Sequence, residues 1–498
     1  MDAQSIAKRF GGFDPRWLAL CVTAIGSFMS ILDSTVVNIA LPNLLRDFHA
    51  DLSQGQLILT VYLLALAVVI PLSGFLAERV GMKRLYMITL AAFVVGSVLC
   101  GFAWDVNSLI LFRVLQGLGG GMLQPLGMAM VFTMISPLER GRFMGVLGLP
   151  MLLAPLLGPT LGGYLVQYSS WRAIFLINLP IGLLNLVLAY WLLKEQPRKT
   201  DLKFDVPGFA LALLAFPGIL LALSLGEDSG WGSPLTLILG AIGIGALIAF
   251  AIVELRQEAP LLQLRLFKEP MFSLGMAINF VTQFSLFGLQ YIMPLLLQTV
   301  HQLGAAATGW VLFPSGILSF VTMNVSGRIY NRVGPRKLVA SGLGVLVVTT
   351  FLLGRSTAET SLYIIGALAA LRGLAMGLCM MPVQTAAYNT VSRAEMPRAT
   401  ALTNMLFRMF GAIGTTILTT ILLLSLRIQG APEGSNVASG TVPLPFLQEA
   451  FNHAFMAMSL LAIVGIGMSL FLRDRVLDEL HAGKQVAPAA ELQVEPAD

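Results

Sequence analysis

The chain has 498 residues, of which 56% are hydrophobic and 11% charged, with a mean hydropathy of +0.81. Soluble domains carry about a quarter charged residues, so this composition excludes one. The net charge of +5 is then a matter of membrane topology rather than of binding nucleic acid. Cys21, Cys100 and Cys379 each lie in an apolar run, with neither disulfide nor metal spacing.

Runs long enough to cross a hydrocarbon core about 30 Å thick recur along the chain. Fourteen spans are predicted, near 17–41, 54–77, 85–104, 107–135, 143–166 and 172–193, then 206–226 and 234–254. The rest fall near 271–298, 306–328, 337–355, 360–391, 397–427 and 450–472. The plan is an all-α polytopic membrane protein. A six-helix bundle (17–193) and a second one (271–472) flank an extra helix pair (206–254), with terminal segments 1–16 and 473–498. Lys8 and Arg9 precede the first run, but it is too long for a signal peptide and lacks a small-residue cleavage site, so it reads as an anchor.

The cations test the count. With the N-terminus inside, 24 of the 31 Lys and Arg residues fall in inner segments and four in outer loops. Arg113, Arg372 and Arg408 fall inside spans. This asymmetry obeys the positive-inside rule and predicts that both termini are cytoplasmic. The six tryptophans fall near span ends, where interfacial anchors belong.

Chemistry begins in the first span, where "LDSTVVNIALP" (32–42) buries a carboxylate, Asp33. A charge at the bilayer centre costs at least ~2.5–3.5 kcal/mol and calls for a partner. Arg113, in "RVLQGLGGGMLQP" (113–125), lies at nearly the same depth: about 9 Å from its span end against about 12 Å for Asp33, at ~1.5 Å per residue. A cation favours the ionised acid and dehydration the neutral one, so the pair is either a proton switch or a static lock between helices.

Residues 74–85, "GFLAERVGMKRL", recur 253 residues later as "GRIYNRVGPRKL" (327–338), each after the second span of its half. Duplicated halves around a central site are how secondary transporters are built. Gly74, Glu78, Arg79, Gly81, Lys83 and Arg84 in the first copy, and Gly327, Arg332, Gly334 and Arg336 in the second, form a candidate gate. Glu78 is expected to pair across to the other half. Asn331 replaces the acid in the second copy, so the latch is expected to be lopsided. An exposed pair of this kind contributes about 1 kcal/mol or less.

In the fifth span, "GLPMLLAPLLGPTLGG" (148–163) combines close-packing glycines with Pro150, Pro155 and Pro159, and reads equally as helix packing or as a hinge. Phe280, Phe284, Phe287 and Tyr291 form a stripe on the ninth span beside Gln283 and Gln290, either a pocket wall or plain core. Asn38, Gln116, Gln124, Asn178, Gln384, Tyr388 and Asn404 are further cavity candidates. Arg372 and Arg408 either bond to carbonyls freed by Gly and Pro or attract an anionic substrate. No nucleotide-binding loop, H-E-x-x-H or G-x-S-x-G is present, so neither ATP hydrolysis nor hydrolytic chemistry is expected, and no cofactor.

Four of these motifs (32–42, 74–85, 113–125 and 148–163) resemble signatures of the fourteen-span drug:proton antiporter family of the major facilitator superfamily. The likeness covers residue 15 to about 475. One departure is Glu78, where the family pattern has aspartate. The resemblance implies proton-driven export of amphipathic small molecules, with Asp33 and Arg113 coupling. It gives Gly148, Pro155, Gly158, Pro159, Gly162 and Gly163 the fifth-span antiporter role of sealing the cavity. It also implies a bacterial inner membrane. Relatives in double-membrane bacteria often work with a periplasmic adaptor and an outer-membrane channel, a partnership the sequence leaves open. An exporter of lipid or anionic amphiphile, and more distantly a membrane-embedded enzyme or sensor, are the alternatives.

Overall fold

The computed structural model describes residues 15–50, 52–135, 139–140, 143, 149–195, 198, 204–228, 230–257, 260–430 and 442–473. All its regular structure is helical among those residues. Lipid offers no hydrogen-bond partners, so an apolar chain must satisfy its own peptide groups, and helices do so within one segment. Fourteen long helices result. The first six are α1 (Pro15–Phe48), α2 (Leu52–Val80), α3 (Met82–Gly101), α4 (Val106–Met134), α5 (Leu149–Tyr168) and α6 (Asn178–Leu192), the last preceded by a single turn, Ala173–Leu176. The extra pair is α7 (Val206–Asp228) and α8 (Pro234–Arg256). The remaining six are α9 (Pro270–Thr299), α10 (Ala305–Val333), α11 (Pro335–Gly354), α12 (Leu362–Tyr388), α13 (Met396–Ile428) and α14 (Leu444–Ser469). Thirteen are long and apolar enough to cross a membrane over described residues alone. The remaining one, α5, coincides with the expected fifth span, whose residues 144–148, Gly148 included, lie outside the description.

Odd-numbered helices start, and even-numbered ones end, on one side of the molecule, here termed the terminal face because α1 begins and α14 finishes there. α1 runs about two turns beyond its predicted end. Leu44 on that extension is fully buried, so packing carries the helix past the apolar run. The sequence repeat is visible in the backbone: Gly81 and Gly334 end α2 and α10 with φ of +98° and +80°. Any side chain there would be strained, which explains why both copies place glycine at the break.

The bundles meet through α13, which packs on α2 and α4, and α7 rests against both α2 and α13. A shared apolar cluster includes Ile70, Phe132, Phe216, Phe250, Met381 and Met405, so the extra pair belongs to the same core as the bundles. Trp104 and Trp310 are exposed, as anchors should be. Trp171 corrects the expectation. It is 2% exposed, donates from Nε1 to Asp47 Oδ2 at 2.8 Å and packs on Phe48 and Phe175, because the turn before α6 folds it inward.

Candidate functional site

Asp33 sits midway along α1 with its side chain wholly excluded from solvent. α4 presents Arg113, whose Nη1 donates to Asp33 Oδ2 at 2.5 Å and to Gln116 Oε1 at 2.8 Å. Gln116, one turn further along α4, returns Nε2 to Asp33 Oδ1 at 2.7 Å. The first residue of α6, Asn178, adds Nδ2 at 3.3 Å while also donating to Ser97 Oγ. Arg113 is held from α2: its Nε donates to the Ile58 carbonyl at 3.4 Å, and its guanidinium lies 3.9 Å from the Tyr62 ring. Tyr62 in turn donates to the Ser30 carbonyl. The carboxylate on α1 is therefore met by polar groups from α4 and α6, while α2 holds the arginine in place.

α4 is anchored for this task by its start. Asp105 and Ser108 form a reciprocal cap, and the hydrogen bonds from Ser108 hold the Asp105 carboxyl below the usual carboxylate range. Beside Asp33 is a void of about 10 Å³ between α1, α5 and the start of α6, walled by Val36, Leu161, Leu165 and Ile174. That is close to the least volume that holds one water. It offers room for a proton carrier at the carboxylate and no room for a substrate.

This corrects the reading of Gln116 and Asn178 as cavity wall. They are 0% and 1% exposed, and their amides are spent on Asp33. The ninth-span stripe is corrected too. A methyl group on Gly411 would lie 2.7 Å from Phe287, and one on Gly414 2.9 Å from Phe284, so Phe284 is buried in the seam between α9 and α13 and Phe287 borders it. Phe280 meets Phe284 and Phe410 in the same seam. Of that group, Phe287, Gln290 and Tyr291 are exposed, as is Asn38, whose amide donates to the Ser34 carbonyl. Gln283 and Gln384 are buried, and Gln124 is half-buried.

The gate residues divide in two. Glu78 approaches Arg398 of α13, with Nε–Oε1 at 2.8 Å and an Nη2–Oε2 hydrogen bond at 3.0 Å. Gly74 permits this, since a methyl there would lie 2.8 Å from the Arg398 Cα. The side chains are 7% and 9% exposed, so the pair is buried rather than solvent-exposed as the sequence suggests; α7 and α13 cover it. Close by, Arg140 donates to the Tyr388 carbonyl and to Asn389, Phe132 packs edge-on against Tyr388, and Asn404 reaches Met128. Tyr388 and Asn404 are thus part of the closure. All the hydrogen bonds described between the two bundles lie toward this face, which is shut.

Lys83 and Arg84 turn away to the end of α6, toward the Tyr190 carbonyl and Glu195, while Arg79 lies over Phe75. In the second copy Gly327 is buried, and Arg332 and Arg336 are exposed. In the fifth-span motif, a side chain on Gly158 would strike Thr35 and one on Gly162 would lie 2.9 Å from Val36, whereas Gly163 faces open space. The glycines press α5 onto α1 next to Asp33. Pro155 and Pro159 lie within α5, and their side chains fall outside the description.

The interior arginines part company. Arg372 is buried inside the second bundle, bonded to Thr350 Oγ1 at 2.5 Å and to the Ser285 carbonyl. Arg408 is half-buried on α13, within electrostatic reach of Tyr62 across the bundle interface, and among the described residues no carboxylate pairs with it. Near the start of α14, away from the terminal face, His453 Nδ1 lies 2.7 Å from Ser425 Oγ.

Breaking a buried pair from one side costs about 3–5 kcal/mol. Glu78→Gln is therefore expected to loosen the terminal face, and Asn331→Ala to change it little. Distances between spin labels on the terminal ends of α2 and α11 report this. Equal shifts in both variants would show that the latch is symmetric.

Two packed helical bundles, the first of them enclosing an intramembrane carboxylate with a partner on each oxygen, are the plan of a membrane transporter. The chain belongs to the Major Facilitator Superfamily, whose profile matches residues 23–415. It is 31% identical to the uncharacterized MFS-type transporter YhcA of Bacillus subtilis over 94% of both chains. It is 34% identical to the multidrug resistance protein B homolog of Mycobacterium tuberculosis, covering 82% of this chain and 76% of that one. In fold it resembles the human organic anion transporter MFSD10, with a TM-score of 0.67 at 17% identity, over 92% of this chain and all of the other.

Proposed function

We propose that the protein is a proton-coupled antiporter that exports amphipathic small molecules by alternating access, with the proton gradient as its driving force and no cofactor. The observation that carries this is the Asp33 cluster. An intramembrane carboxylate is costly to bury and marks a proton or substrate path more readily than a static lock, which supports a change of charge during the cycle. The multidrug-resistance name of the mycobacterial relative supports the export of drug-like molecules. The Lys and Arg asymmetry supports a terminal face on the cytoplasmic side of a bacterial inner membrane, and on that reading this structure is the state closed to the cytoplasm. A periplasmic adaptor and outer-membrane channel would then receive the substrate in a double-membrane cell.

Purified protein in vesicles, loaded with a fluorescent amphipathic dye, tests the reading. An imposed pH gradient is expected to drive dye movement, and dye addition to release protons. Dye transport indifferent to the gradient would refute it.

Arg408 favours a second reading, in which anionic amphiphiles are preferred: it is a cation near the bundle interface with no carboxylate partner among the described residues. Arg408→Ala is expected to slow an anionic dye several-fold while sparing a cationic one. Equal loss for both dyes would make Arg408 structural.

A further inference from the structure

The helix pair α7–α8 carries two acids that the Asp33 site does not use. Asp205 immediately precedes α7 and Glu254 lies in the last turn of α8, so both sit at the terminal face, and they are 4% and 1% exposed. Each has one satisfied oxygen. Asp205 Oδ1 accepts from Gly208 N at 2.9 Å and from Gln257 Nε2 at 3.2 Å, and Glu254 Oε2 accepts from Leu262 N at 3.2 Å. The other two, Asp205 Oδ2 and Glu254 Oε1, are buried without a hydrogen-bond partner. They converge on the same glycine: a methyl on Gly208 would clash with Asp205 Oδ2 and lie 2.8 Å from Glu254 Oε1.

Two bare, buried carboxylate oxygens that converge beside one glycine repel, and one proton shared by them removes the repulsion and satisfies both. A hard metal ion would want six or more oxygens, and no cluster of three metal-binding side chains exists among the described residues. We propose that Asp205 and Glu254 bind a single shared proton, a second protonation site separate from Asp33 and built into the cytoplasmic-side closure.

The consequence runs through Arg398. This guanidinium is within electrostatic reach of Glu254 while bound to Glu78. Among the described residues, the other charges near the pocket are Arg79, over the Phe75 ring that packs on Phe204 next to Asp205, Glu395 at the start of α13, and Arg256 and Arg265 at and after the end of α8. Arg265 is occupied with the Leu255 and Gln257 carbonyls, and Glu395 with Gln263 and Ser392. With the proton bound the pair carries one negative charge, and Arg398 stays on Glu78. With the proton lost it carries two, competes for Arg398 and loosens the latch. Acid therefore holds the terminal face shut, and alkali releases it.

The experiment reads protonation and gate position in purified full-length protein without any transport assay, and its Asp33→Asn arm removes the contribution of the coupling site. Spin-label distances between the terminal ends of α2 and α11 are recorded at pH 6 and pH 8 in wild type, Glu254→Gln, Asp205→Asn and Asp33→Asn. The open-to-closed ratio is expected to rise about threefold or more with pH in wild type and in Asp33→Asn, and to stay flat in the two neutralised variants. Infrared difference spectra over the same pH change should lose a protonated-carboxyl band in Glu254→Gln and in Asp205→Asn. The proposal is overturned if the gate is indifferent to pH, if both neutralised variants respond like wild type, or if added sodium at fixed pH reproduces the shift. Gly208→Ala guards against misfolding in either neutralised variant. It crowds the shared site without removing an acid, and is expected to displace the pH midpoint; an unmoved midpoint would also count against the shared proton.

Discussion

Asp33→Asn is expected to abolish gradient-driven transport, by about 100-fold or more, in a protein that still inserts and folds. The loss follows from chemistry: an amide has no proton to load and release at any accessible pH. Retention of fold follows from geometry. The amide oxygen can still accept from Gln116 and Asn178, as Oδ1 does now. Arg113 loses its counter-ion, and an uncompensated buried charge costs about 3–5 kcal/mol. Part of that is offset, because Arg113 keeps Gln116 Oε1, the Ile58 carbonyl and the face of Tyr62. Thermal midpoint, dye binding and dye transport in reconstituted vesicles separate these terms. A folded Asp33→Asn protein transporting at wild-type rate would remove Asp33 from the coupling mechanism. Asp33→Glu keeps the titratable group but pushes it toward the small void beside α5, so partial activity is expected.

Most of the architecture is written in local properties of the chain. Hydropathy sets the helices because lipid leaves the backbone no other way to be satisfied, and the Lys and Arg pattern orders them. The repeat announces itself through Gly81 and Gly334, since only glycine tolerates the break. Depth arithmetic brings Asp33 and Arg113 together because both are measured along straight helices.

What escaped depends on how helices rotate and dock. Gln116 follows Arg113 by three residues, and that spacing was the available sign that it shares Arg113's face. Asn178 gave no such sign, since its place beside Asp33 is set by the turn before α6. Arg398, 320 residues from Glu78, becomes its partner only when the bundles close, so counting cations by loop could not select it. The ninth-span stripe misled because a cavity wall and a helix seam have the same period. Gly411 and Gly414, three apart on α13, were the clue that aromatic rings would be received there. Asp205 and Glu254 meet only through the hairpin joining α7 to α8.

Arg113→Ala tests the other half of the central pair and should be the most destabilising single change at the site. Asp33 would keep only neutral donors, Gln116 Nε2 and Asn178 Nδ2, and Gln116 Oε1 would lose the guanidinium it now accepts from. A charge left unpaired in a wholly buried pocket costs about 3–5 kcal/mol, and the cavity vacated over Tyr62 adds to it. Transport is expected to vanish and the thermal midpoint to fall by several degrees. Arg113→Lys separates charge from shape. An ammonium can reach Asp33, but a single point charge cannot also serve Gln116, the Ile58 carbonyl and the Tyr62 face, which the planar fork does at once. That variant should stay folded, transport at a reduced rate and show a displaced pH profile, because Asp33 keeps a cation at altered geometry. If Arg113→Ala lowers the midpoint while both variants keep the wild-type pH profile, the pair joins α1 to α4 and takes no part in moving protons.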